Sequence, residues 1–189
     1  YTSLKTVTFG DESAVTPNRP ASIISVLAIF MIWGAFTGSK LMPFHVPGPF
    51  IGEMTFTYTA INAAGETDDA EVIVTVYDRR SGEVPQIKEI DPGIGFAKND
   101  TAILKSWGSG LIKVKRNDDG GKEKGYKVIT INDQEISPFS EIFIDEARIY
   151  MTKKGTLSLT PEKGWQMQPI WLPSPEAVWS RLIKVASEG

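Results

Sequence analysis

Residues Gly52 to Val76 read GEMTFTYTAINAAGETDDAEVIVTV, and this stretch decides the fold class. From Thr55 to Ala60, Phe56, Tyr58 and Ala60 share one face, while Thr55, Thr57 and Thr59 share the other. From Ala70 to Val76, the set Ala70, Val72, Val74 and Val76 alternates with Glu71, Ile73 and Thr75. A period of two over such lengths specifies strands with one buried face. Between them lies INAAGETDD, rich in the Asn, Gly and Asp that turns favour. The reading is an antiparallel β-hairpin over 54–77 whose inner face carries Phe56, Tyr58, Val72, Val74 and Val76.

Downstream the pattern stays β. Asp78 to Asp91 is charged, carries Pro85 and reads as a linker. Strands are predicted at Leu111–Lys115, Tyr126–Ile131, Glu141–Ile144, Arg148–Met151 and Thr156–Thr160, all within 97–161. Turn signals separate them: Asn117-Asp118-Asp119-Gly120-Gly121, Asn132-Asp133 and Lys153-Lys154-Gly155. Many short strands at close spacing argue a β-sandwich or barrel.

Upstream, Ala21 to Thr37 reads ASIISVLAIFMIWGAFT without a charge. A helix from Ala21 to Met42 would reach about 33 Å, enough for a hydrocarbon core of roughly 30 Å. The segment is apolar on every face, which a surface helix is not. Trp33 and Phe36 stand near its far end, where an aromatic belt belongs. A cleaved signal peptide and a buried core helix are the alternatives. Bulky residues near the end of the run argue against the first. Residues 1–20 then form a polar cytoplasmic tail. Arg19 and Lys5 before the span and Lys40 after it favour an inside amino terminus.

The other end changes character again. In WLPSPEAVWSRLIKVASEG, Ser174 suits an N-cap, Pro175 the first helical position and Glu176 the first turn. Val178, Leu182 and Val185 follow helical spacing, and Trp179, Ile183 and Ala186 widen the stripe. This is an amphipathic helix for a membrane interface or a protein surface.

Leu172-Pro173-Ser174-Pro175 with Val178-Trp179, preceded by a helix carrying Ile32-Trp33-Gly34, resembles the LPSP-x-x-V-W segment after the first membrane helix in permeases of the nitrate/sulfonate/taurine class of ABC transporters. In those permeases a short loop joins the two elements. Here about 130 residues intervene. The run MPFHVPGPFIGEMTFTYTA is similar to a β-rich insertion found at this point in taurine-type members. The resemblance implies a bacterial inner-membrane importer component for taurine or a related sulfonate, with the insertion in the periplasm. It also implies a cytoplasmic ATPase, a periplasmic solute-binding protein and a second permease copy as partners, with the helices of the permease core following this fragment. The family-motif residues are Leu172, Pro173, Ser174, Pro175, Val178 and Trp179.

The insertion itself is similar to bacterial cadherin-like and other Ig-like repeats. Those open with an Asn-Asp segment, pass through G-x-L-x-x-x-P and close with F-x-Y-T strands. Here Arg116-Asn117-Asp118-Asp119-Gly120 and Gly155-Thr156-Leu157-Ser158-Leu159-Thr160-Pro161 come after the closing strands, so the order is rotated. The expected architecture is thus mostly β: a permuted Ig-like/cadherin-like sandwich over 43–166, between a transmembrane helix at 21–42 and an amphipathic helix within 167–189. A single-pass surface protein with an Ig-like adhesion module is the rival reading.

Composition excludes several chemistries. The 189 residues hold no cysteine and one histidine, His45, so disulfides, zinc–thiolate sites and multi-histidine metal centres are out. A formal charge of −3 offers no basic face for nucleic acid. No P-loop is present, and no enzyme activity or cofactor is expected. Asp68, Asp69, Asp78, Asn99, Asp100, Asn117, Asp118 and Asp119 are oxygen ligands of the type calcium uses. Their spacing fits no complete calcium motif, and turns are rich in the same residues. Glu141, Asp145 and Glu146 offer paired carboxylates, but no saccharide-binding signal accompanies them.

Overall fold

A computed structural model describes residues 19–78, 82–119 and 125–188. The expected cytoplasmic tail, apart from Arg19 and Pro20, and the Gly120-Gly121 end of one predicted turn lie outside the described residues. The elements in chain order are α1 (Arg19–Thr37), β1 (Gly52–Ile61), β2 (Thr67–Tyr77), β3 (Asp100–Lys105), β4 (Gly110–Ile112), β5 (Lys127–Ile131), β6 (Gln134–Glu135), β7 (Glu141–Ile144), β8 (Ala147–Met151), β9 (Leu157–Pro161) and α2 (Pro175–Glu188). The chain divides into two compact units: one holds α1 and the segment from Pro169 through α2, and the other is Val46–Gln168.

The Val46–Gln168 unit is built on the hairpin. β1 and β2 pair antiparallel from Gly52↔Val76 to Ile61↔Thr67. Asn62 organises their turn, its Oδ1 accepting from the Ala64 and Glu66 amides at 2.9 and 3.0 Å. One sheet runs in the order β3-β2-β1-β5-β6 and the other in the order β4-β9-β8-β7. The hairpin therefore occupies the middle of the larger sheet. β5 adds antiparallel to β1, with a register shift at Thr59/Ala60, and β3 adds parallel to β2. Asn132 and Asp133 both take positive φ, 44° and 63°, as the two-residue turn from β5 to β6 requires.

One core joins the sheets. Met54, Phe56, Tyr58, Val72, Val74 and Val76 from the hairpin cluster with Ile112, Ile142, Ile149, Met151, Leu157 and Leu159 from the smaller sheet. Tyr58, Val72 and Val74 are fully buried, so the register read from the alternation is the one adopted. On the outer face Thr130 Oγ1 donates to Thr59 Oγ1 at 2.7 Å, and Thr59 Oγ1 to Asp69 Oδ1 at 2.6 Å.

Three expectations need correction. The predicted helix to Met42 ends at Thr37, because Gly38 takes φ 63° and the Ser39 amide bonds Gly34 O at 3.0 Å, a Schellman stop. The predicted strand 111–115 is shorter, since Val114–Arg116 forms a 3-10 turn. The strand β3 lies in a stretch the alternation did not mark as a strand. The rest of the expected linker 78–91 carries no strand; residues 79–81 lie outside the described residues.

The first unit pairs an apolar helix with an amphipathic one. α1 has 19 residues, about 28 Å at 1.5 Å per residue. Among the described residues it is the one helix long and apolar enough to cross a membrane. Ile23, Ile24, Val26, Leu27, Ile29 and Ile32 are all more than half exposed. On α2, Trp179, Leu182, Ile183 and Val185 are exposed as well.

Candidate functional site: the junction at the end of the apolar helix

The Leu172–Trp179 segment reaches the carboxyl end of α1 through Pro173 and Glu176. Trp33, one turn before that end, donates its indole N–H to Pro173 O at 2.9 Å. Its ring meets Phe30 edge-on, with centroids 5.3 Å apart. Past the Schellman stop, Ser39 is fully buried and donates from Oγ to Glu176 Oε2 at 2.6 Å. The Lys40 amide donates to Glu176 Oε1 at 2.9 Å. Both oxygens of one carboxylate in the first turn of α2 thus hold the chain leaving α1. That position also suits the positive end of the helix dipole. His45 closes the same turn, its Nε2 lying 2.6 Å from Ser39 O in a donor's position.

Several residues of this segment have a local role. The Val178 amide bonds Ser174 O at 3.1 Å, which makes Ser174 the N-cap, and Pro175 at the first helical position is buried. Pro173 supplies the carbonyl that Trp33 reads, and Trp179 points its ring to the outside. Gly34 is needed for space, since a Cβ there would stand 2.4 Å from Met42 Cγ. Burial pushes the Glu176 carboxyl upward, but hydrogen bonds from Ser39, its own amide, Lys40 and Ser174 outweigh it and hold the group below the ordinary range. Sequence reading placed Ser174, Pro175, Trp33 and Gly34 but gave Glu176 only a helix-start role. Its partners lie 137 and 136 residues away, beyond the reach of any local pattern.

The β unit leaves and returns at a narrow neck. The Phe50 amide donates to Glu162 O at 2.8 Å, the Trp165 amide to Pro47 O at 2.7 Å, and Gln166 Nε2 to Val46 O at 3.0 Å. Gly164 makes this possible: its φ is 62°, and a Cβ would lie 2.2 Å from Gly48 O.

The candidate calcium ligands are engaged in structural bonds. Asp68 accepts from the Ala97 amide at 2.8 Å, and Asn99 Oδ1 from the Glu71 amide at 2.8 Å. Asp69 takes Thr59 as described, and Asn117 donates to Asn99 O at 3.0 Å. Asp118 accepts from the Lys98 amide at 2.9 Å, while Asp119 pairs with Lys98 Nζ at 3.3 Å. Asp100 begins β3 and accepts from Asn117. Asp78 ends the described part of the chain after β2. Among the described residues, no three His, Cys, Asp or Glu side chains converge to hold a metal. Glu141 pairs across its hairpin with Arg148 at 3.4 Å, and Asp145 and Glu146 form the turn between β7 and β8. No protein-family model, curated protein or solved structure matches the chain.

Proposed function

We propose that this chain is the amino-terminal part of a membrane permease of the nitrate/sulfonate/taurine ABC class. α1 would be its first membrane span and the Val46–Gln168 unit a periplasmic insertion of permuted Ig-like form. The observation that carries the reading is the junction: the Trp33-Gly34 helix end and the Leu172–Pro175 segment, about 140 residues apart, bond directly. In the family a short loop joins these pieces. Here the neck between 46–50 and 162–166 brings the long excursion back on itself, so the β unit interrupts that loop without separating its ends. An amphipathic helix following a span, with Trp171 and Trp179 exposed, suits the outer membrane interface. In this reading a cytoplasmic ATPase, a periplasmic binding protein and a second permease copy complete the importer. Taurine or a related sulfonate is the solute, and this chain performs no chemistry of its own.

The test combines topology with uptake. A single cysteine replacing Lys153, in a chain with no other thiol, should react with an impermeant maleimide added outside the inner membrane. Cells whose taurine uptake depends on the complete reading frame should lose it when Trp33→Ala and Glu176→Ala are combined. Labelling from the cytoplasmic side alone sinks the topology. Uptake indifferent to the frame's deletion sinks the transport reading. In that event the self-contained core of the β unit favours the rival, a single-pass protein displaying an Ig-like binding module.

A further inference from the structure

The β unit contains a polar cluster that the transport reading does not use. Asp118 follows the 3-10 turn and is only 6% exposed. Its Oδ1 accepts from the Lys98 amide at 2.9 Å and from the Tyr58 hydroxyl at 3.1 Å. Its Oδ2 is sealed from solvent and has no hydrogen-bond partner. Asp100, at the start of β3, likewise has a sealed Oδ2 without a partner. Two buried carboxylate oxygens, each lacking a donor and with Asp118's negative field acting on Asp100, are costly as two charges.

We propose that Asp100 and Asp118, whose sealed Oδ2 atoms lack donors, form a proton-binding site that fastens the start of β3 to the loop after the 3-10 turn, and that loss of this proton loosens the β unit. A carboxylic acid offers the donor that the orphan oxygens need, and a single proton removes the repulsion. The surrounding groups do not supply an alternative. Tyr58, from β1, already donates to Asp118 Oδ1 and lies 3.0 Å from Lys98 O. Burial first, then the negative fields of Asp118 and Asp100, push its phenol far upward, so it stays a neutral donor. Lys98 directs its ammonium to Gly93 O and Asp119. Lys115, on the 3-10 turn, favours a charged Asp118 through its field, but burial and Lys127 of β5 lower its own affinity for a proton. Asn117 donates toward Asp100, and Asp119 adds negative field at Asp118. The balance raises both acids: burial and then Asp118 bring Asp100 to about 7, and burial is the leading cause at Asp118.

The sign follows. The folded Asp100 holds its proton up to about pH 7, whereas the unfolded group releases it near 3.8. Between these values the folded state binds more protons. The folding constant therefore falls with rising pH, by up to tenfold per pH unit for one proton. The experiment uses the full chain in dodecylmaltoside micelles. Carboxyl-carbon NMR with labelled aspartate should show one aspartate titrating between pH 6 and 8, and Asp100→Asn should remove that titration. The thermal midpoint should drop from pH 5.5 to 8 in the native chain. The Asp100→Asn chain should lose most of that drop, because its amide replaces the proton as a permanent donor. If that variant does not fold, the titration of the unmodified chain decides alone. Absence of any aspartate titrating above pH 5.5 overturns the proposal. So does a rise in midpoint with millimolar calcium at pH 8 that Asp118→Asn abolishes, which would make the pair a cation site.

Discussion

Tyr58 joins an apolar requirement to a polar one. Its ring is fully buried in the core, and its hydroxyl ends among Lys98 O and Asp118 Oδ1. Tyr58→Ala should cost roughly 3–5 kcal/mol, as large-to-small core changes do. Thr57→Ala, one residue away on the open face, should stay within about 0.5 kcal/mol. Urea titration of the two variants gives the comparison, and equal losses would mean the alternation had been misread. The alternation singles out Tyr58 because its neighbours are threonines. It does not single out Asp100 and Asp118, which are 18 positions apart and resemble every other turn aspartate until β3 and the 3-10 turn are folded. Two glycines separate conformation from crowding in the same way. Gly65 has φ 85° with nothing within 4 Å of a built Cβ, whereas Gly164 has φ 62° and backbone at 2.2 Å. Gly65→Ala should cost about 1 kcal/mol of backbone strain. Gly164→Ala should cost about twice that or more, because Gly48 O must move and the neck bond from Trp165 to Pro47 must open.

Among the elements, α1 and α2 were legible at their starts and less so at their ends. Proline and serine signals are local, and Ser174-Pro175-Glu176 reads as a helix start in isolation. The stop after Thr37 is local as well, but Leu41-Met42, apolar again beyond Gly38-Ser39-Lys40, invite an extension of the helix and mask it. β3 was not legible for a different reason. In DTAILK both faces carry apolar residues, Ala102 and Leu104 on one and Ile103 on the other, so no period of two stands out. Its partner β2 is parallel, with Val72↔Asp100 in register, and no turn between them announces the pairing. The bond between α2 and the end of α1 carries its own pH prediction. Glu176 sits below its ordinary value of 4.5 in the folded chain. Between the folded and unfolded values the unfolded state binds more protons, so stability rises with pH there. The contribution is complete above about 4.5 and is lost as pH falls through the folded value. Spin labels on cysteines replacing Leu41 and Lys184 should give a narrow distance distribution at pH 7 that broadens below pH 4. Glu176→Gln should be broad at both, and a distribution narrow at every pH in both chains would mean that the carboxylate does not hold α2.

At the scale of the whole molecule, the decisive question is whether the hairpin and the later strands make one folding unit. The larger sheet is assembled around the hairpin. β3 has β2 as its ladder partner, and β5 pairs with β1 on one side and with the two-residue β6 on the other. Removing residues 52–77 strips β3 of its ladder partner and leaves β5 with two paired residues. It also removes Met54, Phe56, Tyr58, Ala60, Ala70, Val72, Val74 and Val76 from the common core. The smaller sheet would then expose Ile149, Leu157 and Leu159, now fully buried, to water. At roughly 1.5–3 kcal/mol for each large aliphatic side chain, that loss exceeds the margin of a small domain. The hairpin alone fares no better, since an isolated pair of strands is marginal in water. A fragment covering Gly93–Gly164 should therefore lack a cooperative urea transition. Adding residues 50–78 in front of it should restore one. Fusing the same segment behind Gly164 through a flexible linker should also restore one, because what the core requires is the hairpin's presence rather than its place in the chain. Lengthening the connection costs little, as loop-closure entropy grows only with the logarithm of length. A cooperative transition of equal midpoint in the fragment without the hairpin would show two independent cores and would remove the basis for reading the unit as one permuted domain.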